Sequence, residues 1–273
     1  MLNIKTLLNF DKLKNWSLKI EKRFRFVIST LVLSLIMLFS TFFLFDKVWI
    51  FIPIFIVITY VLTYFSIIEE IEKSELLTLF IVPILFTISY YFFYFLFPIR
   101  WLTRLPFITI YGVSIYAILL TSNILNVGVE KSLQLFRAAF SVNYFYQTVI
   151  VFLFSNILFS FRGSYITNAL AAGTVIFPLS LQLYWSVKLN LEIEKQLILY
   201  SFLTATVISQ VAMIVSFVPF KPSISGLILT SSYYSLSGLI NSYLDDRLFK
   251  QTIREYLFVL GFVILVALLT INW

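Results

Sequence analysis

Apolar and charged positions separate sharply along the chain. Nine stretches contain no Asp, Glu, Lys or Arg: 26–45, 48–68, 76–99, 105–129, 138–161, 163–187, 196–220, 222–244 and 256–273. Each is about 18 to 25 residues long, and about 20 helical residues cover a hydrocarbon layer of roughly 30 Å. Barrel strands need only about 9–11 alternating residues. The pattern therefore predicts an all-α fold, a polytopic transmembrane bundle of about nine membrane-spanning helices, with 24–273 as a single transmembrane domain. Residues 1–23 stand apart. Leu7, Leu8, Phe10, Leu13, Trp16 and Ile20 alternate there with lysines, which predicts a basic amphipathic helix lying at the cytoplasmic interface against anionic headgroups. The apolar run after Arg25 is too long for a cleaved signal peptide, so the first helix reads as a signal anchor.

Composition strengthens this picture. The chain is 60% hydrophobic and 12% charged, with a mean hydropathy of +0.97, against about a quarter charged in a soluble domain. It has no Cys and no His. That excludes disulfides, His-based metal sites, axial His ligation of haem and Ser–His or Cys–His nucleophile pairs. No cofactor is expected. Phe and Tyr are abundant, but an AT-rich genome produces the same bias, so the aromatic count carries little functional weight.

The net charge of +7 does not require nucleic acid, because the basic residues sort by side. Of the 20 Lys and Arg, five (Lys47, Arg100, Arg104, Arg162 and Lys221) fall in one set of alternating loops, and fifteen fall with the N-terminal tail in the other. Among the 13 acidic residues only Asp46 joins the smaller set. The positive-inside rule then places the N-terminus in the cytoplasm and Trp273 outside, in a bacterial inner membrane. Arg100 and Arg104 are the local exception. Trp49, Trp101, Trp185 and Trp273 sit at predicted helix ends and Trp16 in the surface segment, where amphipathic rings favour the interface.

Polarity concentrates in the later stretches, at Asn123, Asn126, Asn143, Gln147, Asn156, Asn168, Gln182, Gln210 and Asn241. In 222–244, Ser231, Ser235, Gly238 and Ser242 recur at i, i+4, i+7 and i+11, which keeps them within one narrow helical stripe. Ala169 and Gly173, with Ser180, repeat the idea in 163–187. Small residues let helices approach closely and hydroxyls bond across the contact, so packing is the plainer reading. The functional reading is a groove among the fifth to eighth helices, with Ser231, Ser235, Gly238, Ser242, Ala169, Gly173, Gln182 and Gln210 as candidates, that receives a headgroup or solute. Pro53, Pro83 and Pro178 lie inside predicted helices, where kinks are tolerated.

No stretch holds a buried Asp, Glu or Lys, the usual mark of proton coupling. Two acidic clusters face the predicted cytoplasmic side: Glu69, Glu70, Glu72 and Glu75, then Asp245 and Asp246. Paired carboxylates can hold Mg²⁺ on a diphosphate. Nine helices with two cytoplasmic acidic motifs superficially resemble the membrane prenyltransferases. Those motifs are Asp-based with i, i+4 spacing, and here only 241–247 comes near. The Asp pair also resembles that of phospho-sugar transferases acting on lipid phosphates, but Lys250 misses their spacing by one. The expectation is a non-enzymatic membrane subunit or scaffold, or a permease-like component for a lipid or small solute, with the bilayer and a membrane protein as partners. The alternative is a metal-dependent lipid-phosphate or prenyl transferase using Asp245 and Asp246.

Overall fold

The computed structural model describes residues 20–43, 48–68, 75–97, 101–127, 133–189 and 193–270. Residues 1–19 of the predicted interfacial segment, Asp46, and Glu69, Glu70 and Glu72 lie outside the described residues, as do Trp16 and Trp273; of that segment, Lys22 and Arg23 already belong to the first helix. Within them are nine α-helices: α1 (Lys22–Ser40), α2 (Val48–Ile67), α3 (Glu75–Tyr94), α4 (Trp101–Val127), α5 (Leu133–Ser160), α6 (Tyr165–Lys188), α7 (Lys195–Ser216), α8 (Pro222–Leu244) and α9 (Lys250–Leu269). Each of the nine charge-free stretches contains the body of one helix. Several helices begin earlier than the charges suggested: α4, α5 and α9 take in Arg104, Arg137 and Arg254. A backbone ladder needs no hydrocarbon around it, so a helix can run past the apolar slab into polar surroundings.

Seven of the nine are long and apolar enough to cross a membrane: α1, α2, α4, α5, α6, α7 and α9. The described apolar part of α3 is shorter, Thr78–Tyr94. The serines and tyrosines of α8 dilute its hydropathy, although at 23 residues it is long enough. Pro53, Pro83, Pro106 and Pro178 all lie inside helices.

Short connections make successive helices neighbours. Ser164 caps α6 by accepting from the Thr167 N–H at 3.3 Å, and Pro222 opens α8 where its missing N–H costs nothing. The most extensive contacts join α6 to α7 and α5 to α8. α9 packs on α8, and of its described side chains only Ala267 is buried.

The outward faces are unusually apolar, and the apolar core also encloses many polar side chains. Leu31, Leu35, Leu102, Val113, Phe145 and Phe258 are exposed on outward faces, while Asn143, Gln147, Gln182, Ser180 and Thr204 are buried. With no apolar driving force between helices in lipid, inward polar groups and close packing hold such bundles together. The main core also contains a cluster of aromatic rings. Tyr90 and Phe107 lie 4.1 Å apart by centroid and Phe86 stacks on Tyr111 at 6.0 Å. Tyr90 donates to the Phe107 carbonyl at 2.8 Å, and Tyr111 and Thr87 share a hydrogen bond of 3.0 Å. Structure thus gives some of the aromatic residues a role that composition alone did not.

Two basic residues behave differently from their sequence reading. Arg25, counted with the N-terminal tail, is fully buried in the first turn of α1. Arg104 donates to Tyr94 Oη at 3.1 Å and lies 4.8 Å above the Phe42 ring, so part of the local charge exception is absorbed by aromatic partners. Trp49 is exposed at the start of α2, whereas Trp185, near the end of α6, is buried in a smaller core with Phe80, Leu183 and Leu197.

Candidate functional site

The densest polar arrangement joins α5, α6 and α8. Asn143 and Gln147 lie one helical turn apart on α5 and present both amides to Gln182 of α6. Asn143 Nδ2 donates to Gln182 Oε1 at 3.0 Å, and Gln147 Nε2 donates to the same oxygen. Gln182 Nε2 returns a longer bond to Asn143 Oδ1 at 3.4 Å. Tyr233 of α8 closes the cluster by donating to Gln147 Oε1 at 2.6 Å. All four side chains are buried. Beside them, Tyr184 shares a 2.7 Å hydrogen bond with Thr204 of α7, and Tyr144 donates to the Tyr234 carbonyl while its ring stacks on that of Tyr234. A buried amide left without a partner is costly, and these amides satisfy one another.

The eight groove candidates fall in several places. Ser235 Oγ donates to the Tyr256 carbonyl of α9 at 3.0 Å, and Gly238 lies under the Tyr256 ring, where a Cβ would come within 2.6 Å of Oη. Ser231 and Ser242 bond back to the Ile228 and Gly238 carbonyls at 3.0 and 2.8 Å. Much of the α8 stripe is thus occupied by α9. Gly226 plays the same part on another face of α8, where a Cβ would meet Asn156 of α5 at 2.7 Å. On α6, Ala169 is half-buried and Gly173 faces Ser209 of α7, 2.5 Å from where its Cβ would stand. Gly173 also borders an apolar surface groove of about 480 Å³ with Leu170, Phe177 and Phe202. Gln182 belongs to the amide cluster. Gln210 is exposed on the outward face of α7, opposite the buried series Ser201, Thr204, Ala205, Ile208 and Ala212.

Asp245 and Asp246 follow α8. Asp245 pairs with Arg247 at 3.2 Å. Asp246 has a left-handed backbone, φ 53°, and lines a cavity of about 160 Å³ with Glu194, Gln196, Tyr184 and Tyr243. Glu194 is a carboxylate that sequence reasoning did not single out, since nothing in the pattern brings 194 to 246. Among the described residues no three His, Cys, Asp or Glu side chains gather as a metal site would need. Tyr233 and Tyr256 were also missed. The pairing of Asn143 with Gln147 at i, i+4 was the available signal for a polar contact at α5.

An all-helical bundle with amides and hydroxyls inward, large apolar side chains outward and seven helices able to cross a membrane is compatible with a polytopic membrane protein. Residues 69–270 match the model of a family described as "Protein of unknown function (DUF5656)", and the chain belongs to that family. The matched region takes in α3 to α9 and leaves α1 and α2 before it. No curated protein and no solved structure matches the chain.

Proposed function

We propose that this protein is a non-enzymatic integral membrane subunit or scaffold of the bacterial cytoplasmic membrane. In this reading all nine helices cross the bilayer, 1–23 lies at the cytoplasmic interface, and the C-terminus is outside. The observation that carries the reading is that three buried amides and a buried phenol from α5, α6 and α8 are spent on one another, in the Asn143–Gln182–Gln147–Tyr233 cluster. The close approach of α8 to α9 through Ser235 and Gly238 supports it further. Polar groups used in this way specify helix partners. α8 crosses despite its low hydropathy because its hydroxyls meet protein rather than lipid.

The second reading, a metal-dependent lipid-phosphate or prenyl transferase, is favoured by Asp246 and Glu194 lining one cavity. The double variant Asp245→Asn, Asp246→Asn separates the two. A scaffold is expected to complement a deletion strain and to elute as a single species at the wild-type position in size-exclusion chromatography. Complementation lost while the elution profile is unchanged would favour the transferase. Topology gives an independent check: alkaline phosphatase fused after Trp273 is expected to be active, and a green fluorescent protein fused there to be dark. The reverse result would overturn either the nine crossings or the cytoplasmic N-terminus.

A further inference from the structure

We propose that the rim formed by the α5–α6 and α7–α8 connections binds the phosphate of an anionic phospholipid headgroup. A cavity of about 430 Å³ opens there, lined among others by Arg162, Asn168, Ser216, Ser225, Pro219 and Phe220. Arg162 sits in a left-handed turn, φ 49°, immediately before Gly163, and its side chain is exposed. Among the described residues its guanidinium has no hydrogen-bond or ion-pair partner. Lys221, which precedes α8 on the other connection, is likewise exposed. Arg162 is the sole charged residue between 138 and 187, and Lys221 the sole one between 196 and 244. The positive charge at this rim therefore has no acidic neighbour within these four helices.

Asn168 braces this rim rather than donating to a ligand, because both of its N–H groups are used within the protein. Asn168 is 4% exposed and is held by donating from Nδ2 to Ser216 Oγ at 3.0 Å and to the Gly163 carbonyl at 3.5 Å. Ser225, 3% exposed, adds a hydroxyl from the first turn of α8. The N-termini of α6 and α8 both begin at this rim and add their partial positive charge. A guanidinium recognises phosphate through charge-assisted hydrogen bonds. The surroundings favour a lipid over a free ion. Phe161, Tyr165 and Phe217, close in sequence to lining residues, are exposed, the last two with rings 5.0 Å apart, and Phe159, Val215 and Phe220 form apolar walls beside Arg162. Exposed aromatic residues at the end of an apolar bundle mark headgroup depth. The site depends on membrane residence but not on the choice between scaffold and enzyme.

Native mass spectrometry of the full chain, purified in an uncharged detergent, tests it with dihexanoylphosphatidylglycerol, dihexanoylphosphatidylcholine and inorganic phosphate as probes. The phosphatidylglycerol adduct is expected to form at the lowest concentration and to weaken as potassium chloride is raised. Arg162→Gln is expected to weaken it about tenfold, as loss of one charge-assisted pair implies, and Arg162→Lys to retain most of it. Lys221→Gln should show a smaller loss and serves if Arg162→Gln does not fold. Competition by inorganic phosphate at millimolar levels would identify a free anion as the source of the same chemistry, and absence of competition would identify the lipid. Equal binding of phosphatidylcholine, or adducts unchanged in the Arg162→Gln and Lys221→Gln variants, would overturn the proposal.

Discussion

Replacing Gln182 by leucine is expected to destabilise the bundle more than any other single change among its buried polar residues. Gln182 accepts from both Asn143 and Gln147 and donates back to Asn143. Interhelical hydrogen bonds in membrane proteins contribute about 0.6 kcal/mol on average and up to about 1.7. Removing one partner also leaves others buried and unsatisfied, at about 1–3 kcal/mol each. The combined loss is roughly 2–4 kcal/mol, or an unfolding midpoint lower by roughly 5–10 °C for a chain of this size. Tyr233→Phe, which removes a single bond to Gln147, should cost about 1 kcal/mol. The double variant Asn143→Leu, Gln182→Leu should cost less than the sum of its single changes, because it removes donor and acceptor together. Thermal unfolding in detergent reads the wild type, Asn143→Leu, Gln182→Leu, Tyr233→Phe and the double variant. Strict additivity, or a Gln182→Leu midpoint equal to wild type, would show that the cluster does not hold the three helices.

Much of the helical layout was legible in where the charges lie. The stretch 222–244 coincides with α8 and 48–68 with α2 to within a residue. Hydropathy reports which segments prefer lipid, and in a multi-pass chain that nearly determines which segments are helical. It does not report helix ends in polar surroundings, so α5 starts at Leu133 rather than near 138 and α9 at Lys250 rather than near 256. Nor does it report which way a helix is turned. Gln182 and Gln210 are the same residue type in the middle of apolar stretches, yet one is at the centre of the bundle and the other faces outward. What separates them is the packed face of each helix, and α7 buries a face set by its neighbours α6 and α8. The same gap explains Arg25. Its position at the boundary of a charge-free stretch suggested a cytoplasmic anchor, while the packing of α1 carries it inside. The small-residue stripe of α8 was visible from spacing, but its partner was not, because Tyr256 lies near the beginning of the last stretch with no mark to distinguish it.

That partner makes the second large effect. Gly238→Leu is expected to detach α9 from the bundle. The Tyr256 ring covers Gly238 so closely that even a methyl group would have to displace it. The ring itself is constrained, because it packs on Tyr234 at 5.3 Å and its backbone carbonyl is held by Ser235 Oγ. Overpacking a tight contact costs about 1–3 kcal/mol. Among the described residues α9 has substantial packing only on α8, so no other described surface offsets the loss. Gly173 provides the contrast. Its would-be Cβ meets the hydroxyl of Ser209, which can turn to another rotamer, and the next neighbour is 4.0 Å away. Gly173→Ala should therefore cost well under the cost of Gly238→Ala, although both glycines lie at helix contacts. Compensation is the sharper measurement. Tyr256→Ala removes the ring that opposes a side chain at 238, so Gly238→Leu should be far less damaging in a Tyr256→Ala background than alone, read as recovery of a single peak in fluorescence-detected size-exclusion chromatography and of the unfolding midpoint. If the double variant were as damaged as the two changes added together, the Gly238–Tyr256 contact would not be what fixes α9, and Ser235 would remain as its anchor.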